Sequence, residues 1–452
     1  MGKPKQAFFI LMFRILIVIS YLCLTANIEL HAQNWQLIEK QNMPEKISNN
    51  AVVGVKIGGA NYVYSFSGID STKIYSGISN RGFKYDVQLD RWDTVPPLPD
   101  SRTKIAAAAS FVNDTIYIIG GYSVFANGSE LSSDKVHRFD PSADTFLTDG
   151  TPIPIAIDDH VQAVYKDSLV YVITGWSNTT NVNNVQIYDT YNDSWEQGTS
   201  VPFNNYRVFG ASGTIIGDTI YYYGGASRFG NFPLTNYLRK GAIDPNNPAK
   251  INWQTAVPDT GIFNYRTACA SVSANPIWFG GSTESYNFDG IAFNGSGAVP
   301  PSNHILQYDV SQNQMQLFFP DSGIIPMDLR GIASISDSVK FIAGGMLQNQ
   351  TVSNKSFLLK LQLISGIVEK QKKELQFKFF PNPFKEELNL INQSNQKARL
   401  QLFSSMGKLF LDIELQAKAQ KTIKPNLEEG IYFLKIIFPD HVHTEQLIHI
   451  QN

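Results

Sequence analysis

Hydrophobic and polar positions recur in this chain as a block about every 55 residues, a period that marks a repeat architecture. Each block has a β-branched and aromatic strand ending at a glycine or a glycine pair, as in Ile116-Tyr117-Ile118-Ile119 and Ile220-Tyr221-Tyr222-Tyr223. The strand ends are Ser67-Gly68, Gly120-Gly121, Thr174-Gly175, Gly224-Gly225, Gly280-Gly281 and Gly344-Gly345, which makes six copies. An aromatic-Asp step follows at Tyr85-Asp86, Phe139-Asp140, Tyr188-Asp189 and Tyr308-Asp309, with Ile243-Asp244 in the same place. Seven residues beyond the first residue of these steps come Trp92, Phe146, Trp195 and Met315, while the Ile243 copy has a small insertion and places Trp253 at ten.

These residues resemble the kelch family, whose repeats are the four-stranded blades of a β-propeller. The resemblance implies an all-β fold of six blades, and a mismatch at the ends shows how the ring closes. The sixth copy contains Leu358-Leu359-Lys360-Leu361 and then lacks its tryptophan. An orphan fragment, Asn34-Trp35-Gln36-Leu37-Ile38 followed by Met43-Pro44, looks like the missing outer strand. Trp35 is therefore expected in blade six, where the two ends of the repeat region share one sheet and remove its exposed edges.

Beyond the charged run Glu369-Lys370-Gln371-Lys372-Lys373-Glu374 the pattern changes. Short alternating strands separated by Gly, Pro and Asn turns suggest a small β-sandwich. The segments Phe380-Pro381-Asn382-Pro383-Phe384, Leu400 to Lys408 and Leu427 to Ile436 resemble in order and spacing the C-terminal sorting domain of the type IX secretion system of Bacteroidetes-type bacteria. That resemblance implies export across the outer membrane, with the secretion machinery as partner and release or attachment at the cell surface as the outcome. At the other end, Lys3, Lys5 and Arg14 precede the apolar run Ile15-Leu16-Ile17-Val18-Ile19, with Ala26 and Ala32 as small residues for cleavage. This reads as a signal peptide rather than a membrane anchor, because Arg14 leaves the run short for a span. The expected organisation is a signal peptide over 1–32, a six-bladed propeller over 33–365, a linker over 366–376 and a sorting sandwich over 377–452.

Composition narrows the function classes. Charged residues are 17% and the net charge is -2, so no global field attracts nucleic acid. Once the signal is removed Cys269 is the one remaining cysteine, so no intramolecular disulfide can form. The histidines of the propeller, His137, His160 and His304, are scattered among blades, unlike the converging ligands of the copper oxidases built on kelch propellers. No phosphate loop, dinucleotide fingerprint, nucleophile motif or calcium loop stands in the right context. No cofactor or metal is expected.

The candidate site is positional. Arg102, His160, Arg207, Arg266 and Arg330 stand just before the innermost strands, with Asn49-Asn50 in the equivalent place of blade one. Directed into one mouth they would form a positive ring suited to a carboxylated ligand, an acidic glycan or an acidic peptide. Tyr206 and Tyr265 would add stacking faces for a sugar. Alternatively each Arg bonds a loop carbonyl or an Asp of the next blade. Asp158-Asp159-His160 is the one acid-His cluster of the propeller, open to a base role, a metal or pairing with a neighbouring Arg. The excursions Tyr122 to Asp134 and Ser282 to Asn303 have the loop character of recognition surfaces.

Three functions remain open: a binding protein for a carbohydrate, a carboxylated ligand or a protein; a sugar-processing enzyme resembling a sialic acid mutarotase or epimerase; and a protein-interaction scaffold. Asp114-Thr115-Ile116, Asp167-Ser168-Leu169, Asp218-Thr219-Ile220 and Asp337-Ser338-Val339 read as hairpin turns. They are also similar to the O-glycosylation sequon of Bacteroidetes-type exported proteins, which points to Thr115, Ser168, Thr219 and Ser338.

Overall fold

The computed structural model describes residues 32–202, 205–254, 257–258, 261–364, 377–404, 408–438 and 442–450. The expected signal peptide and charged linker lie outside these residues. The chain divides into two compact units, one ending at Ile364 and the other formed by the C-terminal segment.

The larger unit is a six-bladed propeller of antiparallel sheets. Blade one comprises Ala51–Ile57, Ala60–Ile69, Ile78–Asp86 and Arg91–Val95, and blade two Ile105–Val112, Thr115–Val124, Val136–Asp140 and Thr145–Phe146. Blade three comprises Val161–Tyr165, Leu169–Ile173, Val185–Asp189 and Ser194–Gly198, and blade four Ser212–Ile216, Thr219–Tyr223, Tyr237–Asp244 and Asn247–Trp253. Blade five is built from Ala268–Val272, Asn275–Phe279, Ile305–Asp309 and Gln314–Phe318. Blade six takes Ala333–Ser336, Val339–Ala343 and Ser356–Ile364 and is completed by Ala32–Lys40.

The closing strand runs antiparallel to Ser356–Ile364, with Trp35 opposite Leu361. Trp35 is fully buried between blades five and six, its ring edge-on to Phe279 at 5.1 Å. The period-two alternation of each strand sends one set of side chains toward each neighbouring blade, so the core is a series of inter-blade layers rather than one central cluster.

The repeated motifs have local physical causes. The Asp of the aromatic-Asp step accepts backbone N–H groups in the following turn, as Asp86 does from Gln88 and Leu89 and Asp189 does from Tyr191 and Asn192. The aromatic ring carries the residue seven positions on: Tyr85 packs on Trp92 at 5.1 Å and Tyr188 on Trp195 at 4.9 Å. In blade four a bulge at Ile243/Asp244 absorbs the insertion and sets Trp253 opposite Gly241. Glycine at the second position of each pair donates its N–H to the following blade, as Gly121 does to the Ile157 carbonyl at 2.9 Å. Gly121 has φ 91°, and a Cβ there would lie 2.7 Å from the Ile105 carbonyl oxygen, so both conformation and space demand glycine.

The C-terminal unit is a sandwich of a three-stranded sheet, Phe377–Phe380, Leu388–Asn392 and Gln420–Ile423, and a four-stranded sheet, Leu409–Leu415, Ala398–Ser404, Gly430–Ile437 and Val442–His449. Its own core includes Phe377, Phe384, Leu400, Leu402, Leu434 and Leu447. Asn382 ties the Pro-Asn-Pro turn to the last strand, donating to the Gln446 carbonyl and accepting from the Ile448 N–H.

Closure by the amino-terminal strand has a measurable consequence. Trp35→Ala is expected to destabilise the propeller by about 3–5 kcal/mol, the usual cost of emptying a core tryptophan site. Chemical denaturation of the full chain checks this, and an unchanged midpoint would contradict the closure.

Candidate functional site

The mouth of the propeller is organised by one residue per blade whose backbone lies in the left-handed region: Asn49, Ala106, Asp159, Gly210, Arg266 and Asp328. A circle of backbone hydrogen bonds joins them. Ala106 N–H donates to the Asn49 carbonyl, Asp159 to Ala106, Gly210 to Asp159 and Arg266 to Gly210. Leu329 donates to Arg266, and Asn49 to the Asp328 carbonyl, which closes the circle. Asn, Asp and Gly tolerate this conformation, whereas Ala106 at φ 57° and Arg266 at φ 46° hold it at a cost.

The cost at Arg266 is met by charge. Its guanidinium reaches across the channel, donating through Nε and Nη2 to both oxygens of Asp159 at 3.2 and 2.7 Å and through Nη1 to Asp328 at 3.0 Å. Arg330 approaches the same Asp159 at 3.4 Å and donates to the His160 carbonyl at 2.9 Å. Ser48 and Asn49 of blade one donate to Asp328. The side chains of Arg266, Asp159 and Arg330 are each 3% exposed. Burial alone would raise the Asp159 carboxyl, but the charges of Arg266 and Arg330 outweigh it and hold Asp159 below its ordinary value. This cluster of two guanidiniums and two carboxylates forms a plug.

Cavities lie on either side of the plug. The channel cavity, of about 110 Å³, is lined by the first strands of blades one to five and by residues just before that of blade six, with Val52, Ala108, Gln162, Ser212, Ala268 and Ile332 among its walls. His160 and Arg330 face it from the plug. The mouth cavity, of about 240 Å³, is walled by Tyr122, Trp176, Phe209, Phe232 and Phe293, with Glu130, Asp158, Asn287 and the plug's Asp159 and Arg266. Burial pushes the Asp158 carboxyl well up, and the neighbouring Asp159 charge adds to this. Burial also raises Glu130, partly offset by Arg266. The mouth therefore presents aromatic faces and carboxyl groups, while its guanidinium is already engaged.

The expected ring of five cations is not what the fold assembles. Arg266 and Arg330 meet in the plug and His160 lies beside them, but the positive charge is spent on Asp159 and Asp328. Arg102 is exposed and lines a different cavity with Asp100, Ser132 and Lys135. Arg207 is half-buried near Arg228. The reason is register: Arg102 falls four residues before Ala106 and Arg207 three before Gly210, so neither occupies the turning position. Tyr265 is fully buried under the Arg266 guanidinium, 5.3 Å from its ring, and Tyr206 packs in the inter-blade core against Trp253. Asp159 and His160 do not act as a metal pair, because Asp159 serves the two guanidiniums and His160 Nε2 bonds Gln162 at 3.0 Å. Among the described residues no three His, Cys, Asp or Glu side chains converge on a metal position.

The mouth residues missed from sequence had a signal. Trp176 follows a glycine strand end and Phe209 precedes the left-handed residue, the same places that Tyr122 and Asp158, already singled out, hold in blades two and three, so the motif itself marks two mouth positions per blade. The repeated hairpin Asp bonds the neighbouring blade: Asp167 accepts from the Asn113 N–H, Asp218 from the Tyr165 hydroxyl and Asp337 from the Ser273 N–H. Ser338 is exposed, whereas Thr115, Ser168 and Thr219 are partly covered.

Comparison with known proteins agrees with this geometry. A kelch motif model matches residues 106–147 and 160–202, within blades two and three, and a model of the secretion system C-terminal sorting domain matches residues 378–451. The chain is a kelch-repeat protein with a secretion sorting tail. Kelch-like protein 25 of Xenopus tropicalis is 27% identical over 158 residues, 35% of this chain and 24% of that protein. Kelch-like protein terF of Aspergillus terreus is 30% identical over 162 residues, 35% of this chain and 34% of that protein. The chain thus spans about a quarter to a third of the length of the curated relatives it matches. The solved structure of YjhT superposes with a TM-score of 0.57 at 15% identity, covering 72% of this chain and 99% of that one, which shows a shared fold. The sorting domain means export through type IX secretion, to the surface or the medium. No helix among the described residues is long and apolar enough to cross a membrane.

Two outcomes are expected of this kelch-repeat protein. Burial and the Arg330 charge lower the His160 pKa from 6.5 to about 4. The unfolded chain protonates that histidine first, so the stability it contributes is present above pH 6.5 and is lost as pH falls toward 4. His160→Gln is therefore expected to flatten the fall in melting temperature across that window, and parallel curves for variant and parent would contradict it. Deleting residues 377–452 is expected to leave the protein inside the producing cell, read by fractionation; undiminished surface display or release would refute the sorting role.

Proposed function

We propose that this exported kelch-repeat protein is a binding protein whose mouth cavity takes an uncharged carbohydrate. The observation that carries this reading is the lining of the 240 Å³ cavity: five aromatic side chains and a set of carboxyl and amide groups, around a guanidinium already held by two aspartates. Aromatic faces cover the C–H faces of a sugar ring, while Glu130, Asp158 and Asn287 suit its hydroxyls. A carboxylated ligand fits less well, since it would meet Glu130 and Asp158 and find Arg266 engaged.

One observation favours a second reading, sugar processing of the mutarotase or epimerase kind. Glu130 and Asp158 line the same cavity, so two carboxyl groups face one bound ring, the minimum that proton transfer on it requires. A mutarotation assay on each sugar found to bind separates the two: binding without acceleration supports the module, and acceleration abolished by Asp158→Asn supports the enzyme. A scaffold role corresponds to neither. Ser338, exposed at its hairpin, is the best placed of the four O-glycosylation candidates.

A glycan array followed by calorimetry tests the main reading. Trp176→Ala and Glu130→Gln are each expected to weaken sugar binding about tenfold or more, a loss of about 1.4 kcal/mol. Arg102→Ala, in a different cavity, is expected to leave affinity within about twofold. Equal affinity in all three variants, or binding confined to carboxylated glycans, would overturn the assignment.

A further inference from the structure

A second cavity, of about 530 Å³, adjoins the mouth cavity and is built from two loops that the repeat does not need. One follows Gly225 in blade four and carries Phe229, Asn231 and Leu234; the other follows Gly281 in blade five and carries Glu284 and Asn294. Phe263, 38% exposed, forms part of its wall, and Phe229 stands 61% exposed at its rim.

The two cavities share a partition. Phe232 and Phe293 line the mouth cavity, while Pro233, Leu234 and Asn294, their chain neighbours, line the larger one. The two partition rings meet at 4.7 Å. Phe232 has φ 54°, a conformation that a bulky side chain adopts only when its surroundings impose it. The imposition is visible: Ser285 Oγ donates to the Phe232 carbonyl at 2.6 Å, and the Phe232 N–H bonds the Phe229 carbonyl at 3.0 Å. The strained turn presents Phe232 to the mouth and its flanking residues to the outer cavity.

Both sides of the partition offer aromatic faces, at least one acidic side chain and at least one amide. The described residues lining the outer cavity include no cation, and the Arg228 guanidinium lies 5.9 Å from the ring of Phe229 at its rim. At 240 Å³ the inner cavity is below the range of about 300–1,000 Å³ usual for drug-sized ligands, and the outer one is within it.

Resting on the carbohydrate reading above, we infer that the binding site is a pair of contiguous subsites that takes a neutral oligosaccharide, with its terminal ring in the mouth and the next rings on Phe229 and Phe263. Two linked weak sites gain affinity once one chain spans both, so affinity rises with chain length up to the length that fills them.

Titration calorimetry of the mature full-length chain with cello-, manno- and xylo-oligosaccharides of one to four units tests this. In a series that binds, the trisaccharide is expected to bind at least about tenfold more tightly than the monosaccharide. Phe229→Ala is expected to erase most of that gain while leaving monosaccharide affinity unchanged, whereas Trp176→Ala weakens every length. Affinity that does not grow beyond one ring, or a gain that survives Phe229→Ala, would overturn the two-subsite arrangement and leave the carbohydrate reading standing. No binding of any length in any series would refute both.

Discussion

A circle of inter-blade hydrogen bonds at the mouth governs this molecule, and the buried Arg266–Asp159–Asp328 bridge spans it. Each blade must turn through the left-handed region at the same point so that its N–H reaches the preceding blade and its carbonyl the next. A propeller has no central core to enforce this. Inter-blade packing, the glycine strand ends and the mouth circle share the task, and Trp35 seals the last interface. Arg266 is the position where the demand is greatest: a non-glycine residue in a costly conformation, buried with a full charge. Removing one member of such a group typically costs about 3–5 kcal/mol, because its partners are left charged and unpaired.

That same bridge sets the charge character of the mouth. Arginines before inner strands invite the expectation of a positive funnel. Once the carboxylates of blades three and six engage them, the available surface is aromatic and weakly acidic. The plug lies between the channel cavity and the mouth cavity, with His160 and Arg330 facing the first and Asp159 and Arg266 the second. Export through the sorting tail places that surface outside the cell, where glycans are abundant ligands, which is consistent with a carbohydrate occupant.

The contrast between what could and could not be read in advance follows from range. Strand ends, aromatic-Asp turns and the unpaired Trp35 are local or pairwise signals, and they led directly to six blades closed by the amino-terminal strand. The sandwich segments were legible for the same reason. The site depended on register to within one residue: Arg102 and Arg207 are close to the mouth in sequence yet four and three positions early. Asp159 was visible as part of an acid-His cluster, but its pairing with Arg266, 107 residues away, is a product of ring geometry. The hairpin aspartates that looked like turn formers also reach the neighbouring blade, a long-range duty that no local pattern reveals.

The most direct test of the self-neutralised mouth is the ionic-strength dependence of sugar binding by the full-length protein. Across about 0.05 to 0.5 M salt, where screening strips free surface charges of their attraction, the affinity is predicted to stay within about twofold. A steep loss of affinity with added salt would mean that an unpaired charge holds the ligand, and would contradict the account.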